Sequence, residues 1–257
     1  MTALRATAFV AGLLYLITYL ALPTVALYAP VLGDPGFITG SVSETGVLWG
    51  AALELLVVLA IAGTGVVLFP VLRRQNEGVA LGFVASRLFE AGVIAVGIIS
   101  LLSIVTLRRD LGPVVGAEAD ALAITGRSLV AAHDWSFLIG QGLLPGINAL
   151  LLGSLFYQSR LVPRLIPLMG LIGGPLLIAA NIGRLVGIND QYSVFSVIAV
   201  APIFLWEASL GLWLVFKGFR KDAPIMLEAA AAEAAGRTGS ASLTRTADGV
   251  ASKAGAA

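Results

Sequence analysis

Between Val79 and Leu107 the chain reads VALGFVASRLFEAGVIAVGIISLLSIVTL, an apolar run long enough to cross a bilayer that nevertheless carries Arg87 and Glu90. No other stretch restricts the fold as much. A central arginine or acid costs roughly 2.5 to 3.5 kcal/mol when it meets lipid, so the charged face of this helix has to look into protein or a wetted cavity. The three-residue spacing places both side chains on one face about a turn apart, close enough to pair. The run therefore predicts a bundle in which other helices cover that face.

Composition agrees. With 58% hydrophobic and 12% charged residues, and a mean hydropathy of +0.95, the chain lies far from soluble proteins, in which about a quarter of residues are charged. Apolar runs at about 6–28, 46–72, 79–107, 129–158, 165–186 and 194–219 each suit a hydrocarbon core about 30 Å thick. The first is too long for the core of a signal peptide and is read as a retained span. The expectation is an all-α protein, a polytopic six-helix transmembrane bundle over 1–221. Residues 222–257, rich in Ala, Gly, Ser and Thr, are expected to be a disordered cytoplasmic tail.

Arg5, Arg73, Arg74, Arg160, Arg164, Lys217, Arg220 and Lys221 fall on one side of such a path, which by the positive-inside rule puts both termini in the cytoplasm. Arg108, Arg109 and Arg127 dissent from the opposite side. Tyr28, Trp49, Trp135 and Tyr192 are expected to mark the outer interface, and Tyr157 and Phe219 the inner one.

The absence of Cys removes disulfides, thiolate metal sites and Cys nucleophiles, and a single His removes any site needing two imidazoles. No phosphate loop, dinucleotide fingerprint or hydrolase motif is present. No cofactor or metal set is expected, nor a nucleic-acid partner. The remaining candidates are the polar residues inside the spans: Glu54, Arg87, Glu90, His133, Asp134, Asn181, Arg184 and Glu207.

Depth sorts them into two layers, with Glu54, His133, Asp134, Asn181 and Arg184 in the outer half and Arg87, Glu90 and Glu207 from the centre inwards. Arg184 and Asp134 can be read as an interfacial ion pair. His133 and Asp134 make no metal motif, because helix neighbours point about 100° apart. Four acids face two arginines, so the excess negative charge needs a proton, a cation or water. Gln141 is central in span four, where Pro145 and Gly146 predict a bend. GxxxG pairs at Gly46/Gly50, Gly78/Gly82, Gly142/Gly146 and Gly170/Gly174 allow close helix approach.

The segments NEGVALGFVASRLFEA, FLIGQGLLPGINALLLGSLFYQSRLVPRLIPLMGLIGG and PIFLWEASLGLWLVFKGF resemble the bacterial integral membrane proteins grouped as domain of unknown function 4386. The likeness spans about residues 5 to 221 and rests on Arg87 and Glu90 in RLFE, Pro163 and Arg164 in LVPR, Glu207 in WEASLGLW, and Lys217 with Gly218 in KGF. It implies a helical, multi-pass protein of the bacterial inner membrane and no particular activity. Three readings stay open: a protein that binds or moves a small solute or proton through its polar interior, a structural or signalling subunit whose charges only fix helix packing, and an enzyme restricted to carboxylate chemistry. The expected partners are the lipid bilayer and a small ligand or proton.

Topology is directly testable in a chain without cysteine. Single cysteines at Ser43, Gly116 or Asn189 should be labelled from outside intact cells, whereas those at Gln75, Ser159 or Ser240 should not; the reverse pattern would remove the orientation.

Overall fold

A computed structural model describes residues 3–112, 114–191, 193–224 and Leu227. The first span is Ala3–Gly33, built from α1 (Ala3–Ile17), a 3-10 turn (Thr18–Leu20) and α2 (Ala21–Gly33). Spans two and three are α3 (Thr45–Leu72) and α4 (Glu77–Leu111). Span four joins α5 (Ala117–Phe137), a π turn (Leu138–Leu143) and α6 (Leu144–Ser159); α7 (Leu165–Leu185) and α8 (Val194–Phe216) complete the set. Six helices are thus long and apolar enough to cross a membrane, and no strand occurs among the described residues.

The spans form a ring in chain order. Each packs on the next, and α8 closes the ring against α1. Glycine sets the tightest seams: a Cβ added to Gly12 would lie 2.7 Å from the Gly211 carbonyl oxygen, and one added to Gly146 would lie 2.9 Å from that of Gly174. Of the four GxxxG pairs, Gly142/Gly146 and Gly170/Gly174 sit in such contacts, and Gly46/Gly50 lies under Leu27 and Tyr28. Gly78/Gly82 meets only ordinary contacts, so that pair is not a packing motif.

Several helices outrun the expected spans. α4 has 35 residues, about 52 Å of helix, and its Asn76 cap accepts a hydrogen bond from the Val79 N–H. Span four begins at Ala117 rather than near 129. The surplus of α4 and α5 projects at the end opposite Arg5 and Phe216, where Phe37 and Ile38 of the 34–44 loop are buried against it. Arg108 donates to the Gly40 and Val42 carbonyls at 2.7 and 2.6 Å and stacks on Phe37, while Arg109 pairs with Glu44. Arg108 and Arg109, two of the three basic residues that dissented from the charge pattern, thus staple a loop onto helices extending past the apolar core.

At the other end, the Arg5 guanidinium donates to the Leu214 and Val215 carbonyls at 2.8 and 2.6 Å, satisfying groups that the last turn of α8 leaves open. The following residues fold under the bundle: the Arg220 N–H donates to Leu161, and Phe219 packs near Phe156. The LVPR and KGF segments therefore meet. Arg220 also grips Asp222 at 2.6 Å, a bond that holds the exposed Asp222 carboxyl below the usual carboxylate range.

Burial bears on three of the expectations. Ala223 is buried, so the packed region runs past 221; the rest of the expected tail, apart from Asp222, Pro224 and Leu227, lies outside the described residues, as do Tyr192 and Ser240. Tyr28 and Phe219 are buried in the fold rather than lying in interfacial belts, whereas Trp49 and Trp135 are exposed. Ser159 is buried and Gly116 holds φ +65°, so Arg74 and Glu118 are the better cysteine positions.

If the α6–α7 seam is set by backbone approach, Gly174→Val should lower the melting temperature of the purified protein through overpacking of about 1 to 3 kcal/mol. Gly82→Val should change stability by less than about 0.5 kcal/mol. Equal losses would show that the seam tolerates a side chain.

Candidate functional site

Arg87 sits about 15 Å along α4 from its first residue, buried to 1% exposure. Its Nε donates to Thr64 Oγ1 at 2.9 Å and its Nη1 to Glu90 Oε2 at 2.8 Å. Asn148 Nδ2 of α6 donates to the same Glu90 oxygen at 2.6 Å. The Tyr15 and Phe83 rings lie 5.2 and 5.9 Å from the guanidinium carbon, adding aromatic faces to a cation stripped of water. Glu207 of α8 completes the inner layer, with Oε1 4.0 Å from Arg87 Nη1. Two carboxylates therefore share one guanidinium. Among the described residues the Glu207 carboxyl receives no hydrogen bond, and its side chain is 19% accessible. Arg87 Nη2 and Asn148 Oδ1 are buried and likewise lack a partner among the described residues.

The outer layer centres on Glu54, which accepts from Tyr28 Oη at 2.9 Å and from Gln141 Nε2 at 2.5 Å. Gln141 comes from the π turn of span four, just ahead of Pro145, whose missing N–H cannot close a regular turn onto the Gln141 carbonyl. The 3-10 turn of span one stands in the same relation to Pro23. The bend expected at Pro145 is thus a π turn.

The two irregular turns border one cavity of about 430 Å³, which reaches from Arg87, Glu90 and Glu207 past Gln141 to Asn181 and Arg184. Most other walls are apolar, among them Val57, Ile61, Leu177 and Ile203. Its mouth lies between span one and α8, where Leu22, Val197, Val200 and Phe204 are exposed. α1 packs tightly on α8 below this point, whereas α2 forms no extended interface with α8 above it.

The remaining candidates divide. Asn181 donates to the Gly142 and Leu177 carbonyls and accepts from Arg184, which also reaches Gln191. His133 is buried between Tyr28 and Phe137, 5.7 and 6.4 Å between ring centres, as a packed histidine. Asp134 is 64% accessible and lies beside His133 at 3.4 Å, outside the polar interior. The Arg184–Asp134 ion pair is not formed; Arg184 is turned to Asn181 and Gln191. Asp134 stands on the exposed side of α5, which depth along a span cannot reveal.

Tyr15, Thr64 and Asn148 were missed as site residues. Asn148 carries a signal, an amide inside LLPGINALL, because an uncharged polar group in hydrocarbon also needs a partner. Thr64 carries none, since a threonine can satisfy itself on its own helix, as this one does on Ile61 O.

Because Arg87 holds Glu90 directly and Glu207 across 4.0 Å, removing it leaves two buried acids uncompensated, whereas removing Glu90 leaves Arg87 with Glu207. Arg87→Ala should therefore destabilise by about 3 to 5 kcal/mol, more than Glu90→Ala, and the double change should cost less than the sum of the two. Additive losses in purified protein would refute the pairing.

No curated protein and no solved structure matches this chain. The family model described as Domain of unknown function (DUF4386) matches residues 10–218, from the middle of α1 to the Lys217–Gly218 turn that follows α8 and therefore over all six spans. By that match, the chain belongs to this family of proteins of unknown function.

Proposed function

We propose that this integral membrane protein binds a small solute in its polar interior and moves it, or a proton, across part of the membrane. The cavity carries the reading. Its volume of about 430 Å³ lies in the range of small-molecule sites, and apolar walls converge on a few charged groups, as such sites do. Buried ionisable residues inside a bundle commonly mark ligand or ion pathways. The irregular turns of spans one and four border the cavity, and π turns frequently occur at functional sites. The basic residues gathered at the end that carries Arg5 and Phe216 support a cytoplasmic placement of that end, in a cell membrane.

One observation favours the structural alternative. Arg87, Glu90, Thr64 and Asn148 bond to one another at 2.6 to 2.9 Å, which pins α3, α4 and α6 with no ligand needed. Glu207 is not required for that pin, and it is the carboxyl that reaches the cavity.

Thermal melting of purified protein across a panel of small cations, anions and neutral solutes separates the two. Binding predicts a shift of several degrees with at least one solute, lost in Val200→Trp, which narrows the mouth far from the charged layer. No shift with any solute, together with a stably co-purifying protein, would favour the structural subunit.

A further inference from the structure

Within the inner layer the hydrogen bonds assign charge unequally. Glu90 Oε2 is satisfied twice, by Arg87 Nη1 and Asn148 Nδ2, and Arg87 Nε is satisfied by Thr64. The guanidinium and Glu90 thus form a neutral unit. Glu207, when ionised, adds a charge of −1 with no donor among the described residues, 4.0 Å from a guanidinium whose Nη1 already donates to Glu90. Its side chain lines the cavity with Arg87 and Tyr19, whose hydroxyl donates to the Phe204 carbonyl, and the side chains of Ile203 and Phe204, a turn away on α8, offer no donor.

The cavity has a second end. Along α8 it extends from Ser196 to Glu207, about 16 Å of helix, and Arg184 lies at the Ser196 end with Asn181 and Gln191. Two acids therefore share one guanidinium at the deep end, Arg184 sits far from them, and the passage between is largely apolar. The mouth at Leu22, Val200 and Phe204 is apolar too, suited to a molecule that arrives with a hydrophobic body.

We infer that this cavity takes a small amphiphilic amine, its primary or secondary ammonium donating to Glu207 and its apolar body lying along Ile203, Phe204 and Val200 towards the mouth. The inference rests on the binding reading and adds the chemical class of the ligand. An ammonium supplies both the missing donors and the missing positive charge. A carboxylate would meet Glu207 and Glu90 at the deep end, and a neutral alcohol would leave the charge uncompensated. The same chemistry arises in a free amine and in the headgroup of an aminophospholipid.

The test is a size-matched series on the intact protein in phosphatidylcholine nanodiscs, with 2-phenylethylammonium, 2-phenylethanol and 3-phenylpropanoate as probes and calorimetric titration as the readout. The ammonium should bind about tenfold or more tightly than the alcohol, the value of a charge-assisted hydrogen bond, and the carboxylate should bind weakest. Glu207→Gln should reduce the ammonium to about the affinity of the alcohol. Adding phosphatidylethanolamine to the nanodiscs should weaken the free amine if a lipid ammonium occupies the site and leave it unchanged if a free amine is the ligand; either result upholds ammonium recognition. Equal affinity for the ammonium and the alcohol, or preference for the carboxylate, both abolished by Val200→Trp, would overturn the ammonium assignment and leave the binding cavity standing. No binding of any probe, or binding indifferent to Val200→Trp, would overturn both. The comparison of probes on the unmodified protein decides the question even where Glu207→Gln fails to fold.

Discussion

Arg87 cannot be stable in this bundle on the strength of its own helix. Glu90, a turn away, supplies one oxygen, but α3 must bring Thr64, α1 must bring the Tyr15 ring, and α8 must bring Glu207. A guanidinium removed from water needs acceptors and countercharge from several directions, and only a closed ring of helices provides them at once. The α1–α8 seam, where Gly12 and Gly211 let two backbones nearly touch, is therefore linked to the charge on α4: it carries Glu207 and Tyr15 to the same guanidinium.

The ring is tight at that level and looser above it. Proline makes the difference. Pro23 and Pro145 each remove a hydrogen bond from the preceding turn, and the helices respond with a 3-10 turn in span one and a π turn in span four. The π turn swings Gln141 to Glu54, so an irregularity in one helix satisfies a buried carboxylate in another. Both turns border the open volume, and the cavity begins where the regular packing of α1 on α8 ends.

Charges near the helix ends have separate tasks at the two ends of the bundle. Arg5 caps the carbonyls of α8, whereas Arg108 and Arg109 fasten the 34–44 loop to the projecting part of α4. Each meets a backbone or countercharge need that α-helix geometry leaves unfilled at a terminus or loop. Arg108 and Arg109, which disturb a simple charge count along the sequence, are thus accounted for by where α4 ends.

Class, span number and the Arg87–Glu90 pair were legible in the sequence, because hydropathy over about 20 residues and a spacing of three are local quantities that a bilayer and a helix convert directly into structure. The placement of Glu54, Asn181 and Glu207 within the interior followed from the same cost of exposing polar groups to lipid. Rotation about the helix axis was not legible. Asp134 and His133 are adjacent and equally deep, yet one faces outward and the other packs on Tyr28, because the neighbours of α5 decide which side is covered. Partners across the ring were equally hidden: that Glu207 approaches Arg87, that Asn148 serves Glu90, and that Tyr28 leaves the interface for Glu54 depend on contacts between residues 26 to 120 positions apart. Local pattern determined what each helix must bury. Only the closing of α8 on α1 decided against what.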